Sequence, residues 1–132
     1  MTDLSTETTA SVSTHILDTS IGRPAASVAV SLAARSGDDA PYVTLGTSAT
    51  DADGRCKNLP ALPEGTTHVR LGFDTGTYFV KKQAEAQQDA PRVRDSGAFF
   101  PEVAITFAVT PGEHFHVPLL LNPFGYSVYR GS

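Results

Sequence analysis

Apolar and polar positions alternate along most of the chain, the period-two pattern of half-buried strands. Ser11 to Asp18 is a β-branched and apolar run, closed by the turn-like Ser20-Ile21-Gly22-Arg23-Pro24. Val28, Val30 and Leu32 alternate with small residues until Ser36-Gly37-Asp38-Asp39 breaks the strand. Tyr42 to Thr50 is a third candidate. It ends at Asp51-Ala52-Asp53-Gly54, where Asp side chains bond local amides and Gly supplies a positive φ. Val69, Leu71 and Phe73 alternate with His68, Arg70 and Gly72, which turns His68 toward solvent. Val103, Ile105, Phe107 and Val109 alternate with Glu102, Ala104, Thr106 and Ala108. Pro111-Gly112 then precedes a strand from His114 to Leu121, and Asn122-Pro123-Phe124-Gly125 separates it from Tyr126 to Tyr129. Thr77 to Gln88 carries Lys, Gln, Ala and Glu without alternation and reads as a helix. The expectation is a mostly β fold: a two-sheet β-sandwich of about seven to eight strands with one short α-helix.

A length of 132 residues suits one domain. With 40% apolar and 18% charged residues, the composition is that of a folded chain able to bury a core. The net charge of −4 and the lack of a basic stripe argue against nucleic acid as a partner. Cys56 is the single cysteine, so no internal disulfide can form, which suits a reducing compartment. Residues 1–10 are polar and acidic, without the apolar centre or basic start of a signal peptide, and no apolar run approaches membrane-spanning length. A cytoplasmic protein is therefore expected, with no membrane association. Its organisation would be a flexible tail at 1–10 and a domain at 11–132.

Four histidines, His15, His68, His114 and His116, are the side chains most easily poised for proton transfer near neutral pH. His114 and His116 should leave one face of their strand, while Phe115 and Val117 leave the other. Such a pair can bind a metal, or it can be one useful histidine and one surface histidine. No Cys, Asp or Glu cluster in the sequence completes a ligand set. Taken singly, His15 reads as a hydrogen-bonded sheet residue, Arg55 as a solvated group after a turn, and Cys56 as a small filler. The C-terminus is less ordinary. Chain ends are usually polar and frayed, yet Tyr126 to Ser132 runs two tyrosines and an arginine to the last residue.

These features coincide with a family pattern. Ser13-Thr14-His15-Ile16-Leu17-Asp18 with Gly22-Arg23-Pro24-Ala25, then Thr50-Asp51-Ala52-Asp53-Gly54-Arg55, then His114 to Leu121, Gly125 to Ser127 and Tyr129-Arg130-Gly131-Ser132 resemble the 5-hydroxyisourate hydrolases of the transthyretin-like family. The terminal tetrapeptide is the most specific part, being characteristic of the hydrolases and missing from the hormone carriers. The resemblance departs at Leu121-Asn122, at Gly76-Thr77-Tyr78 and in a longer stretch between Lys82 and Phe99. It implies a transthyretin-like sandwich that assembles as a homotetramer, a dimer of dimers, with active sites in the channel between dimers. It implies catalytic positions at His15, Arg55, His116 and Ser132, and substrate-binding positions at His15, Arg55, Tyr129 and Arg130. It implies no metal and no cofactor.

The implied reaction is hydrolytic opening of the six-membered ring of 5-hydroxyisourate to 2-oxo-4-hydroxy-4-carboxy-5-ureidoimidazoline in urate degradation. Water must be activated by a base, for which His116 and His15 both qualify. The guanidinium fork of Arg55 matches a carbonyl or urea edge. The Tyr129 hydroxyl can add a hydrogen bond, and Arg130 and Ser132 would form the wall. The competing readings are a transthyretin-like carrier of a small aromatic ligand, an immunoglobulin-like sandwich and a metal-binding protein using His114 and His116.

Overall fold

The computed structural model describes residues 9–86 and 98–131, and within them the alternating runs become nine strands. They are β1 (Ser11–Asp18), β2 (Arg23–Pro24), β3 (Ala29–Arg35), β4 (Val43–Ala49), β5 (Arg55–Cys56), β6 (His68–Phe73), β7 (Val103–Ala108), β8 (His114–Asn122) and β9 (Gly125–Val128), with the helix α1 (Thr75–Ala86) between β6 and β7. β2 and β5 are two residues long, too short to show a period. The other seven match the alternating runs.

Two sheets form. One has the order β2-β1-β8-β9, with β5 also paired to β1, and the other has the order β4-β3-β6-β7. β1 and β8 run parallel although 103 residues separate Ser11 from its partner His114. Strand alternation sends Ile16, Leu119 and Leu121 inward from the first sheet against Val30, Leu32, Val69, Leu71 and Phe73 of the second, all nearly solvent-free. Each such side chain contributes about 1.5–3 kcal/mol by leaving water, so this layer fixes which face of β1 and β8 remains outside.

The helix starts two residues before the expected Thr77 because Asp74 caps it. The Thr77 amide donates to Asp74 Oδ1 at 3.1 Å and the Thr77 hydroxyl to Oδ2 at 2.8 Å. The expected end at Gln88 lies outside the described residues. Tyr78 and Phe79 bury the inner side of α1. The Tyr78 hydroxyl donates to Asp18 Oδ2 at 2.7 Å, and Asp18 also accepts from the Ser20 amide at 3.0 Å. A buried carboxylate needs such donors. Burial, reinforced by the Asp18 bond, raises the Tyr78 phenol well above its ordinary range.

Two local expectations need correction. His68 is half-buried, and its Nδ1 bonds the Thr67 hydroxyl at 2.8 Å. The expected tail boundary at residue 10 is also set too far into the fold. Ala10 is buried, and the Gly112 amide donates to the Thr9 carbonyl at 3.0 Å. Residues 1–8, the greater part of that tail, lie outside the described residues. No helix among the described residues is long and apolar enough to cross a membrane.

Candidate active site

The outer face of the β2-β1-β8-β9 sheet collects the polar residues that alternation excludes from the core. On β8, Phe115 and Val117 are buried while His114 is exposed and His116 half-buried, the division expected from their spacing. Parallel pairing sets Ser11 opposite His114, Ser13 opposite His116 and His15 opposite Pro118. Antiparallel pairing with β5 sets Arg55 opposite His15. His15, Arg55 and His116, which are distant in sequence, therefore share one surface.

Arg55 reaches that surface through the turn before it. Asp51 Oδ1 accepts from the Asp53 amide at 2.9 Å and from the Arg55 amide at 3.0 Å. The bond from the Arg55 amide is the largest influence holding the Asp51 carboxyl below its ordinary value. Gly54 closes the turn at φ +77°, and a Cβ there would collide with the Ile16 carbonyl oxygen. Its own carbonyl accepts from the Ile16 amide at 2.8 Å. Glycine thus lets the turn lie directly on β1.

Hydrogen bonds orient both histidines. His15 Nε2 lies 2.9 Å from the Asp53 carbonyl. A carbonyl only accepts, so Nε2 carries the hydrogen and a neutral His15 keeps its lone pair on Nδ1. His116 Nδ1 bonds the Ser13 hydroxyl at 2.8 Å, and its Nε2 makes no hydrogen bond to any described residue. Burial lowers the His116 pKa below the ordinary histidine value, and the Arg55 guanidinium and the charge that His15 and His114 can carry lower it further. That ring is neutral at neutral pH and can accept a proton.

Ser13, Thr14, Arg55, Cys56, Lys57, His114 and His116 line an open groove of about 320 Å³. Lys57, Ser11 and Ser13 were not singled out from the sequence. Lys57 was legible in principle, since it stands two residues beyond Arg55 and so shares its face. Cys56, between them, is buried as expected of a filler. A larger hollow of about 540 Å³ on the second sheet has Asp74 and Glu102 as its ionisable groups and no histidine in its lining. Among the described residues, no group of three or more His, Cys, Asp or Glu side chains converges to hold a metal.

The chain end continues the pairing of β9 with β8. The Tyr129 amide donates to the Pro118 carbonyl at 3.4 Å and the Gly131 amide to the His116 carbonyl at 2.7 Å. This register sets exposed Tyr129 opposite Pro118, on the histidine face. Arg130 alternates to the other face. Its guanidinium lies 4.4 Å from the Phe115 ring centroid and 3.2 Å from Glu113 Oε1. Within one chain the Arg130 guanidinium is therefore set apart from the histidine face. Ser132 lies outside the described residues.

Residues 12–131 match the family model described as the HIUase/Transthyretin family. The chain is 43% identical over 137 residues to the uric acid degradation bifunctional protein TTL of Arabidopsis thaliana, covering 92% of this chain and 37% of that protein, so it spans little more than a third of that relative. It is 40% identical to the 5-hydroxyisourate hydrolase of Salmonella dublin, covering 92% of this chain and 80% of the relative. The solved 5-hydroxyisourate hydrolase of Klebsiella pneumoniae superimposes with a TM-score of 0.66 at 36% identity, covering 93% of this chain and 94% of the other.

Proposed function

The chain belongs to the HIUase/Transthyretin family, and from that premise we propose that it hydrolyses 5-hydroxyisourate in urate degradation. The observation that carries the reading is the convergence of His15, Arg55 and His116 on one sheet face, beside a chain end bonded to His116 through Gly131. Likeness to relatives named 5-hydroxyisourate hydrolase over most of their length supports the substrate.

In the proposed mechanism His116 Nε2 takes a proton from water. The oxygen attacks a ring carbonyl carbon, and the carbonyl electrons move to its oxygen. Arg55 donates to that oxygen as negative charge develops. The carbonyl re-forms, the adjacent ring C–N bond breaks, and the proton on His116 Nε2 passes to the leaving nitrogen. This gives the ring-opened product, 2-oxo-4-hydroxy-4-carboxy-5-ureidoimidazoline. His116 is taken as the base because burial favours its neutral form and its Nε2 makes no hydrogen bond to a described residue. His15 then orients substrate beside Arg55, and Tyr129 donates from the chain end. Ser132 completes the wall in this reading, and Arg130 acts there only across a subunit boundary. The reaction so drawn uses no metal and no cofactor.

The proposed assembly is a homotetramer, a dimer of dimers, which would enclose the open groove. Exposed Ile21, Phe124 and Tyr126 on turns and an edge strand support association, and sedimentation tests it. The proposed compartment is the cytoplasm, which cell fractionation tests.

The roles are tested by the turnover of freshly generated 5-hydroxyisourate by His116→Ala and Arg55→Ala. Loss of the base is expected to lower kcat by about a hundredfold or more. Wild-type turnover by either variant overturns the assignment.

A further inference from the structure

The outer face of β1 carries a serine opposite each histidine of β8, and the mechanism above uses neither. Four side chains join in one run of hydrogen bonds. Ser11 Oγ meets His114 Nδ1 at 2.6 Å, His114 Nε2 meets Ser13 Oγ at 2.8 Å, and Ser13 Oγ meets His116 Nδ1 at 2.8 Å. Three of the four ring nitrogens are engaged, and the fourth is the His116 Nε2 assigned to the reaction.

Proton counting restricts this run. A neutral imidazole has one N–H and one lone pair on nitrogen, and a serine has one O–H. With both rings neutral, the three bonds can exist together in three arrangements, because a serine oxygen can also accept from two donors at once. In the first, His116 Nδ1–H donates to Ser13, Ser13 O–H donates to His114 Nε2, and His114 Nδ1–H donates to Ser11. His116 Nε2 then holds a free lone pair. In the second, every donor is reversed, and His116 Nε2 carries the hydrogen and cannot act as a base. In the third, His114 Nε2–H and His116 Nδ1–H both donate to Ser13, Ser11 donates to His114 Nδ1, and His116 Nε2 again holds a free lone pair.

We propose that Ser13 is a positioning residue for the hydrolysis: bridging His114 and His116, it holds His116 in the Nδ1–H form whose Nε2 can take the proton from water. The inference rests on the reading of His116 as the base. Only the first and third arrangements need no rearrangement when Nε2 is protonated, because in both the Nδ1–H already donates to Ser13. That bond then becomes charge-assisted and stronger. The groups around His116 make such an acceptor valuable. His15 from β1, Arg55 from β5 and His114 from β8 all oppose a positive ring when charged, and burial opposes it too; Lys57, just past β5, lines the same groove. Ser13 is the neutral oxygen that offsets them.

The test compares Ser13→Ala with Ser13→Thr, which keeps the hydroxyl, using His116→Ala as the reference. Readouts are kcat, KM and the ring ¹⁵N shifts of His116, which report its tautomer. Ser13→Ala is expected to lower kcat about tenfold, the scale of one lost hydrogen bond, with KM within about twofold. Its His116 shifts should move from the Nδ1–H form toward a mixture, and Ser13→Thr should restore both rate and shifts. A wild-type kcat in Ser13→Ala, an unchanged tautomer, or a Ser13→Thr variant as slow as Ser13→Ala overturns the proposal. If His116→Ala itself turns over normally, the parent reading has failed. If His116→Ala is inactive while Ser13→Ala is normal, only the role of Ser13 has.

Discussion

Replacing Gly131 by alanine presses on a contact that joins the chain end to the proposed base. The Gly131 amide is tied to the His116 carbonyl at 2.7 Å. An added Cβ would stand 2.8 Å from His116 Cδ2 and 3.3 Å and 3.4 Å from Pro118 Cγ and Cδ. Carbon atoms settle at about 3.5–4.0 Å, so the ring and the chain end must part by about 0.7 Å or more. Gly131 is not among the positive-φ glycines. The backbone itself therefore accepts alanine, and the strain is confined to this contact. A misplacement of about 1 Å at a reacting centre costs on the order of a hundredfold, so a shift of this size should lower kcat by about ten- to a hundredfold. The contact lies outside the core, so stability should change by no more than about 0.5 kcal/mol. Stopped-flow absorbance of freshly generated 5-hydroxyisourate gives kcat and KM, and thermal unfolding gives the control. A variant with wild-type kcat and an unchanged melting temperature would refute the claim that the tail shapes the site.

Because burial and neighbouring cations lower the His116 pKa, kcat/KM should be level through neutral pH. It should fall on the acid side with a midpoint below the ordinary histidine value near 6.5; a midpoint above that value would contradict the assignment. The linkage has the same direction. The unfolded chain takes up this proton first as pH falls, so the ring's contribution to stability is present above about pH 6.5 and lost through the lower folded pKa. Tyr78→Phe removes a donor from Asp18, which is 1% exposed, and should cost about 1–3 kcal/mol. Denaturant unfolding checks this, and unchanged stability would show that Asp18 finds another donor.

The sandwich was legible because period-two burial is written into the strands themselves. Ser11–Asp18 is both the alternating run in the sequence and β1 in the structure, and Phe115 and Val117 turn inward just as their spacing requires. The Asp51–Gly54 turn was legible from its residue types. Its consequence was not, because a two-residue β5 carries no pattern and the docking of Gly54 on Ile16 depends on a contact 38 residues away. The pairing of β1 with β8 is likewise set by the whole core and not by either strand. Hence the family motifs pointed to His15, Arg55 and His116, while Ser13 drew notice only once parallel register set it beside His116. The resemblance placed Arg130 with the substrate-binding positions but carried no information on direction; within one chain strand alternation sets its guanidinium over Phe115. His68 alternates as a surface residue should, yet Thr67 draws it into a half-buried bond.

The most direct measurement follows the ultraviolet absorbance of 5-hydroxyisourate, generated in place from urate, with and without this protein. The account predicts that catalytic amounts of the chain speed the loss of that absorbance well beyond the spontaneous rate, with the ring-opened product appearing in step. Decay at the spontaneous rate, with folded protein present, would contradict it.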